Sequence, residues 1–415
     1  MYARHLTASL RDAMADTPVI LIAGARQTGK STLVQSVAPE SGYFTFDDEL
    51  TLRAARSDPQ GFIQSLPRPV VLDEVQLLPE IFRPIKLVID RDRRPGSFVL
   101  TGSANVMLLP RLSETLAGRM EILTLWPLSQ GELSGMREGF IDAAFADAPP
   151  MLAPSRMSQT ELVERVLEGG FPEVVQRTNA PRTRAWFRAY TTSMVQRHVS
   201  DIATIDAIEE MPKALSLIAA QATGIANVAK LSQSLAIPHT SMTRYLNLLR
   251  AAYLVQSVPG WSGRLNQRVM KANKLTILDS GVLGYMRNAT PARMIVDRET
   301  FGPLLETFVM MELRKQLGWS DTLAELYYFR THGGLEADFL IESSDGRVVA
   351  LEVKAKAAPS ARDFRAMEFL RDELGDRFIR GILLYTGEHT LPFGDRIWAM
   401  PIDGLWRWGA TPSRA

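Results

Sequence analysis

The chain has 415 residues, enough for two to four domains. Charged residues make up 22% and hydrophobic residues 46%, the balance of a soluble globular protein, and no apolar run approaches the roughly 18 residues that a membrane span needs. There is no cysteine, which excludes disulfides, zinc–thiolate sites and thiol catalysis, and the net charge of +1 hides an uneven distribution.

The start, Met1-Tyr2-Ala3-Arg4-His5, has no apolar core followed by a small-residue cleavage site, so a cytoplasmic location is the default expectation, with no membrane partner. Residues 1–135 alternate short apolar runs with helical patterns. The runs are Val19–Ala23, Tyr43–Phe46, Val70–Leu72, Phe98–Leu100 and Ile122–Leu125. Strands alternating with helices predict a mostly parallel sheet covered on both faces.

Directly after the first run stands Gly24-Ala25-Arg26-Gln27-Thr28-Gly29-Lys30-Ser31-Thr32, which fits G-x-x-x-x-G-K-[ST]. The glycines let the backbone curl so that successive N–H groups face phosphate oxygens. Lys30 adds a point charge at the β- and γ-phosphates, and the Ser31 hydroxyl is suited to Mg²⁺. A helix starting there turns its positive end to the anion. The expected cofactors are therefore ATP and Mg²⁺.

The run Val70–Leu72 ends in Asp73-Glu74. Asp73 would hold Mg²⁺, largely through water, and Glu74 would activate the attacking water. The next run ends in Thr101-Gly102-Ser103. Ser103 either hydrogen-bonds the γ-phosphate or attacking water, or simply caps its strand. Arg119 is either an arginine finger for a neighbouring subunit's nucleotide or a surface ion pair. This order, followed by Trp126-Pro127-Leu128-Ser129, resembles the AAA+ branch of P-loop ATPases. The resemblance implies homo-oligomers in which one subunit's arginine acts on the next.

Ala143–Ser158, rich in Ala, Pro, Met and Ser, reads as a loop or linker, and 159–222 reads as helices. Residues 136–222 thus form a linker and helical lid. From Met211 to Leu278 the chain carries eight cations and no carboxylate, an electrostatic footprint for a polyanion. Within it, 223–275 has a helix-turn-helix pattern. Val228, Leu231 and Leu235 give a first helix, Ile237-Pro238 a turn, and Thr240 or Ser241 a cap for a second helix. Tyr253–Val258 and Leu275–Leu278 would add a wing. Thr243, Arg244 and Asn247 suit groove contacts, with Arg264, Arg268, Lys271 and Lys274 as further nucleic-acid contacts. The other reading is a winged helix that packs domains together.

Residues 276–415 return to mixed strand and helix. Asp338 lies in Leu335–Ile341, and Glu352-Val353-Lys354 closes the next apolar run. Alternation puts Asp338 and Glu352 on one face only if an odd-length loop or a bulge joins the two strands, so an odd loop is expected. Two carboxylates meeting there would make an Mg²⁺ site, with Lys354 beside them and Glu306 as a third acid on an apolar helix face. The alternative is a structural network of Glu, Asp and Lys. This set resembles the PD-(D/E)xK, or restriction-endonuclease-like, nuclease fold, which implies that the domain binds or cuts nucleic acid.

The whole order resembles a large bacterial and archaeal family of AAA+ ATPases with a C-terminal domain of unknown function. Matching segments include Gly169-Gly170-Phe171-Pro172, Arg197 with Asp201, Lys274–Gly281 and Leu391–Asp395. The expected fold class is α/β, with an N-terminal P-loop AAA+ parallel sheet, a helical and winged-helix middle, and a C-terminal mixed α/β restriction-endonuclease-like domain. The expected function is an ATPase that binds, and in one version cleaves, nucleic acid, DNA favoured. The alternative is a nucleotide-controlled switch or scaffold that binds a partner protein through a non-cleaving nuclease-like domain.

Overall fold

The computed structural model describes residues 2–38, 42–103, 116–195, 210–263, 268 and 271–412. Arg197, Asp201 and Arg264 lie outside them.

Five parallel strands form the N-terminal sheet: β1 (Val19–Ala23), β2 (Gly42–Thr45), β3 (Val70–Asp73), β4 (Phe98–Gly102) and β5 (Met120–Thr124). Their order is β2-β3-β4-β1-β5. β1, β3 and β4 are buried throughout because they are apolar on both faces, as central parallel strands must be. Ile20 and Ile22 pack on α1 (Leu6–Asp16) and α2 (Lys30–Val37) through Leu6, Leu10, Leu33 and Val34. Val19 and Leu21 face the opposite layer, with Phe82 and Ile85. The strand ends where β1 meets its neighbours form the crevice in which such sheets place ligands.

A short helix, α3 (Gln130–Ser134), follows with a capping box made by Ser129 and Glu132, and then β6 (Met136–Arg137). The expected linker begins helical at Phe140–Phe145 and then lies pinned along the C-terminal sheet. There Arg380 donates to the Ala148 carbonyl at 3.1 Å and Ser155 donates to Asp403 at 2.8 Å.

Among the described residues, helices run over Gln159–Glu168, Pro172–Val175, Ala180–Ser193 and Met211–Ala220, as expected. Then α4 (Val228–Leu235), a turn with Ala236 at φ 53°, and α5 (His239–Ala251) lead into an antiparallel ribbon of β7 (Val255–Val258) and β8 (Lys274–Ile277). One expectation needs correction: Pro238, not Thr240 or Ser241, is the N-cap of α5. The kink at Ala236 starts the helix early.

After α6 (Ser280–Met286) comes α7 (Arg298–Gln316), the nineteen-residue helix of the C-terminal half. It packs on a mixed sheet of β9 (Ala324–Arg330), β10 (Glu336–Ser343), β11 (Val348–Lys354), β12 (Phe378–Tyr385), β13 (Leu391–Pro392) and β14 (Ile397–Pro401). Its order is β13-β14-β12-β11-β10-β9. Phe339 pairs with Leu351 and Glu342 with Val348, so residues 343–347 form the odd-length connection, and the register sets Asp338 opposite Glu352. Finally β15 (Thr411–Pro412) returns to pair with β6. One apolar core runs from Val19 through Phe171 and Leu249 to Leu313 and Trp406. Among the described residues no helix is long and apolar enough to cross a membrane.

Candidate nucleotide site and C-terminal acid cluster

Between β1 and α2 the chain must reverse within a few residues. Gly24, Gln27 and Gly29 do so with φ of 150°, 64° and 94°. A Cβ on Gly24 would lie 2.3 Å from the Leu125 carbonyl oxygen, so only glycine lets the loop lie against the exit of β5. The buried Lys30 ammonium turns into this curl and donates to the Gly24 and Ala25 carbonyls at 3.1 and 3.0 Å. Burial pulls its pKa below the usual lysine range, against the opposing pull of Glu74 and Asp73. Among the described residues its hydrogen-bond partners are neutral, which leaves its charge for an incoming anion.

Ser31 Oγ donates to the two Asp73 carboxylate oxygens at 3.0 and 3.2 Å. A hydroxyl and a carboxylate in contact at the mouth of the loop fit Mg²⁺, a hard cation that keeps most of its waters. When bound there, the ion would neutralise phosphate oxygens. Asp73 is fixed by two further donors, Tyr43 at 2.7 Å and the Thr101 hydroxyl. Thr101 Oγ1 also accepts the Glu74 N–H at 3.1 Å. Glu74 sits at φ 57°, a left-handed backbone that costs a non-glycine residue about 1–3 kcal/mol and persists where its surroundings hold it. Here the holders are Thr101, Ser103, which donates to the carboxylate at 2.9 Å, and the Gln76 amide. The structure thus brings Lys30, Ser31, Asp73, Glu74 and Ser103 to one crevice.

Arg119 is elsewhere. β5 runs parallel to β1 with Met120 beside Val19, so Arg119 lies at the sheet end opposite the loop. It pairs with Asp90 at 2.5 Å and cannot reach its own chain's crevice.

Sequence reasoning missed Arg4. Its guanidinium donates to the Thr28 carbonyl at 2.7 Å, the Trp126 carbonyl at 2.6 Å and Glu132 at 3.1 Å, clamping the phosphate loop to the Trp126–Ser129 segment. No local pattern signals this, because the partners lie 24 to 128 residues away. Beside the clamp a cleft of about 1270 Å³ runs along the loop, lined by Tyr2, Arg11, Gly29, Thr32, Gln176 and Thr411 among others. Its size is ample for a nucleoside.

In the C-terminal half the expected acids do converge. The Asp338 N–H donates to Glu352 at 3.2 Å, Asp338 accepts the Val353 N–H at 2.9 Å, and Lys354 pairs with Glu352. Burial, reinforced by the Asp338 carboxylate, pushes Glu306 and Glu352 each up to about 8. The surprise is Lys274. Expected as a nucleic-acid contact, it is 4% exposed and its ammonium reaches Glu336 at 2.7 Å, Glu306 at 3.1 Å and Asp338 at 3.5 Å. Burial alone would lower its pKa, but the three carboxylates outweigh it and hold it charged, above the usual range. The expected metal does not fit beside it. A divalent ion about 4 Å from an ammonium is repelled by roughly 8 kcal/mol at an effective dielectric near 20. Among the described residues no group of three or more His, Asp or Glu is arranged to hold a metal ion.

Two more of the expected nucleic-acid contacts are engaged within the protein. Arg268 pairs with Glu342 and lies over the Trp261 and Tyr327 rings at 5.4 and 5.2 Å. Lys271 donates to the Trp261 carbonyl at 2.8 Å. The contacts expected at Arg268, Lys271 and Lys274 are corrected accordingly: a run of cations in sequence says nothing about where its partners sit in space. Arg244 and Asn247 do lie exposed on α5, with Thr243 half-buried beside them.

The N-terminal parallel sheet, with its glycine-bent loop between β1 and α2, has the form of a P-loop fold. Residues 16–134 match the family described as an AAA domain, while 159–293 and 301–405 match domains of unknown function, DUF8612 and DUF4143. Uncharacterized proteins of Mycobacterium bovis and Mycobacterium tuberculosis are each 28% identical over 409 residues, covering 98% of this chain and 85% of theirs. Among solved structures, a Walker-type ATPase of Pyrococcus abyssi is similar over 69% of this chain and 96% of its own, with 15% identity and a TM-score of 0.42. The RuvB Holliday junction branch migration motor of Thermotoga maritima is similar over 61% and 87%, with 20% identity and a TM-score of 0.29.

Proposed function

We propose that the protein hydrolyses ATP in the crevice of Lys30, Ser31, Asp73 and Glu74 and couples turnover to nucleic-acid binding, DNA favoured, through the outer face of α5. The observation that carries the ATPase reading is the Ser31–Asp73 contact, which sets both Mg²⁺-type oxygens at the mouth of the lysine-bearing loop. Glu74, whose carboxylate accepts from Ser103 and Gln76, would take the proton from the attacking water. The nucleic-acid reading is supported by α5 following a tight helix turn and carrying Thr243, Arg244 and Asn247 outward, the arrangement by which a winged helix meets a groove. Arg119, turned away from its own crevice, suits a homo-oligomer in which it serves a neighbour. Mg²⁺-dependent phosphate release, with and without duplex DNA, tests the whole. Hydrolysis that survives Lys30→Ala would refute the site, and turnover and binding indifferent to DNA would refute the coupling.

A second reading draws on Lys274. With its ammonium among the acids, strand cleavage by the C-terminal domain does not fit, and a nucleotide-controlled switch with a non-cleaving domain does. Slow turnover with nucleotide-dependent assembly and no response to DNA would favour it.

A further inference from the structure

The segment Lys274-Leu-Thr-Ile-Leu-Asp279-Ser-Gly281 serves neither the phosphate crevice nor the exposed face of α5. It buries a charge at each end: Lys274 is 4% and Asp279 3% exposed. Asp279 accepts the N–H groups of Gly170, Gly281 and Val282 at 2.9, 2.9 and 3.1 Å. A Cβ on Gly169 would stand 2.1 Å from its carboxylate, which accounts for glycine there. The middle of the segment is pinned to α7 by Thr276 and Thr307, whose hydroxyls meet at 2.6 Å. Lys274 then enters the acid cluster.

An ammonium has three N–H donors and no acceptor. Three carboxylates surround this one, from Glu306 on α7 and from Glu336 and Asp338 on β10. Its fourth side lies over the Tyr328 ring at 5.6 Å. The remaining acid, Glu352, is taken by Lys354 and by the Asp338 N–H. Each carboxylate that a nuclease-type metal would use is already matched to a protein donor, and the central cation is supplied by the chain.

We infer that the C-terminal acid cluster is a lysine-neutralised joint: the Lys274 ammonium fills the cation position, ties the ribbon to the C-terminal sheet, and leaves no divalent-ion site among these acids. Removing the ammonium takes away the cation that Glu306 and Asp338 face, which frees their oxygens for a metal ion.

The test is Mn²⁺ binding to the full chain without nucleotide, read by electron paramagnetic resonance of free Mn²⁺. Wild type is compared with Asp338→Asn, Lys274→Met and the double variant. Wild type and Asp338→Asn are expected to titrate alike. Lys274→Met is expected to gain a site about tenfold or more tighter than any in wild type, and adding Asp338→Asn to abolish it. A wild-type site that Asp338→Asn removes would overturn the inference, as would a folded Lys274→Met with no new site. If circular dichroism shows Lys274→Met unfolded, wild type against Asp338→Asn still decides. No ATP is present, so failure of the ATPase reading does not affect the outcome.

Discussion

Replacing Thr101 by valine isolates the hydroxyl that organises both acids of the nucleotide crevice. The side chain is fully buried, and valine keeps its shape. Its Oγ1 donates to Asp73 and accepts the Glu74 N–H at 3.1 Å, so one atom sets the position of both residues. Valine strips a donor from Asp73 and leaves a backbone N–H without its partner, which costs about 1–3 kcal/mol. Glu74 is then free to leave its left-handed backbone. If half to all of a ~2–3 kcal/mol loss appears as misplacement of the general base, kcat falls roughly 5- to 150-fold. The loop and Lys30 are untouched, so ATP affinity should change less than about threefold. Phosphate release gives kcat, and a fluorescent ATP analogue gives Kd. A folded Thr101→Val with unchanged kcat, or with Kd weakened as much as kcat, would refute this account.

Arg4→Ala removes three hydrogen bonds around the phosphate loop and strands the buried Glu132; it should cost about 2–4 kcal/mol in urea unfolding and weaken ATP binding. Replacing Thr243, Arg244 and Asn247 together by alanine should weaken duplex DNA binding at least about tenfold in fluorescence anisotropy and reduce its salt slope by about one, with ATP affinity unchanged. Arg119→Ala should lower hydrolysis about 10³-fold while preserving nucleotide binding, and an equal mixture with Glu74→Gln chains should regain activity if the arginine acts between subunits. The pH response follows from Glu306 and Glu352, both raised from 4.5 to about 8 in the fold. The native state holds their protons more tightly, so stability should fall as pH rises from about 4.5 to about 8 and then level off. Glu352→Gln should flatten that slope in urea midpoints taken across the range.

The N-terminal sheet was legible because its strands are short apolar runs with punctuation, and a parallel sheet buries such runs on both faces. The phosphate loop was legible because its chemistry is local: glycines, lysine and serine lie within eight residues. The Asp338–Glu352 register came from a parity argument, since side chains alternate and only an odd connection sets the two opposite each other. Lys274 and Arg268 were not legible. Their partners are 32 to 74 residues away, and no periodicity encodes a contact between a ribbon strand and a distant sheet. Arg4 was hidden for the same reason. Thr101 left a faint trace, a polar residue inside an otherwise apolar strand, two residues before Ser103, the position that drew attention.

The helix α7 meets both halves of the molecule. Glu306 faces Lys274, while six residues along Glu312 accepts the Gln130 N–H at 2.9 Å and Lys315 donates to the Leu128 carbonyl at 2.8 Å. Six residues of helix span only about 9 Å, and a helix held at both places behaves as a stiff rod. A shift of the Trp126–Ser129 segment cannot be absorbed along so short a shaft. It would arrive at the lysine-filled joint as tilt or translation of similar size, so α7 is the element that would carry such a shift from one sheet to the other.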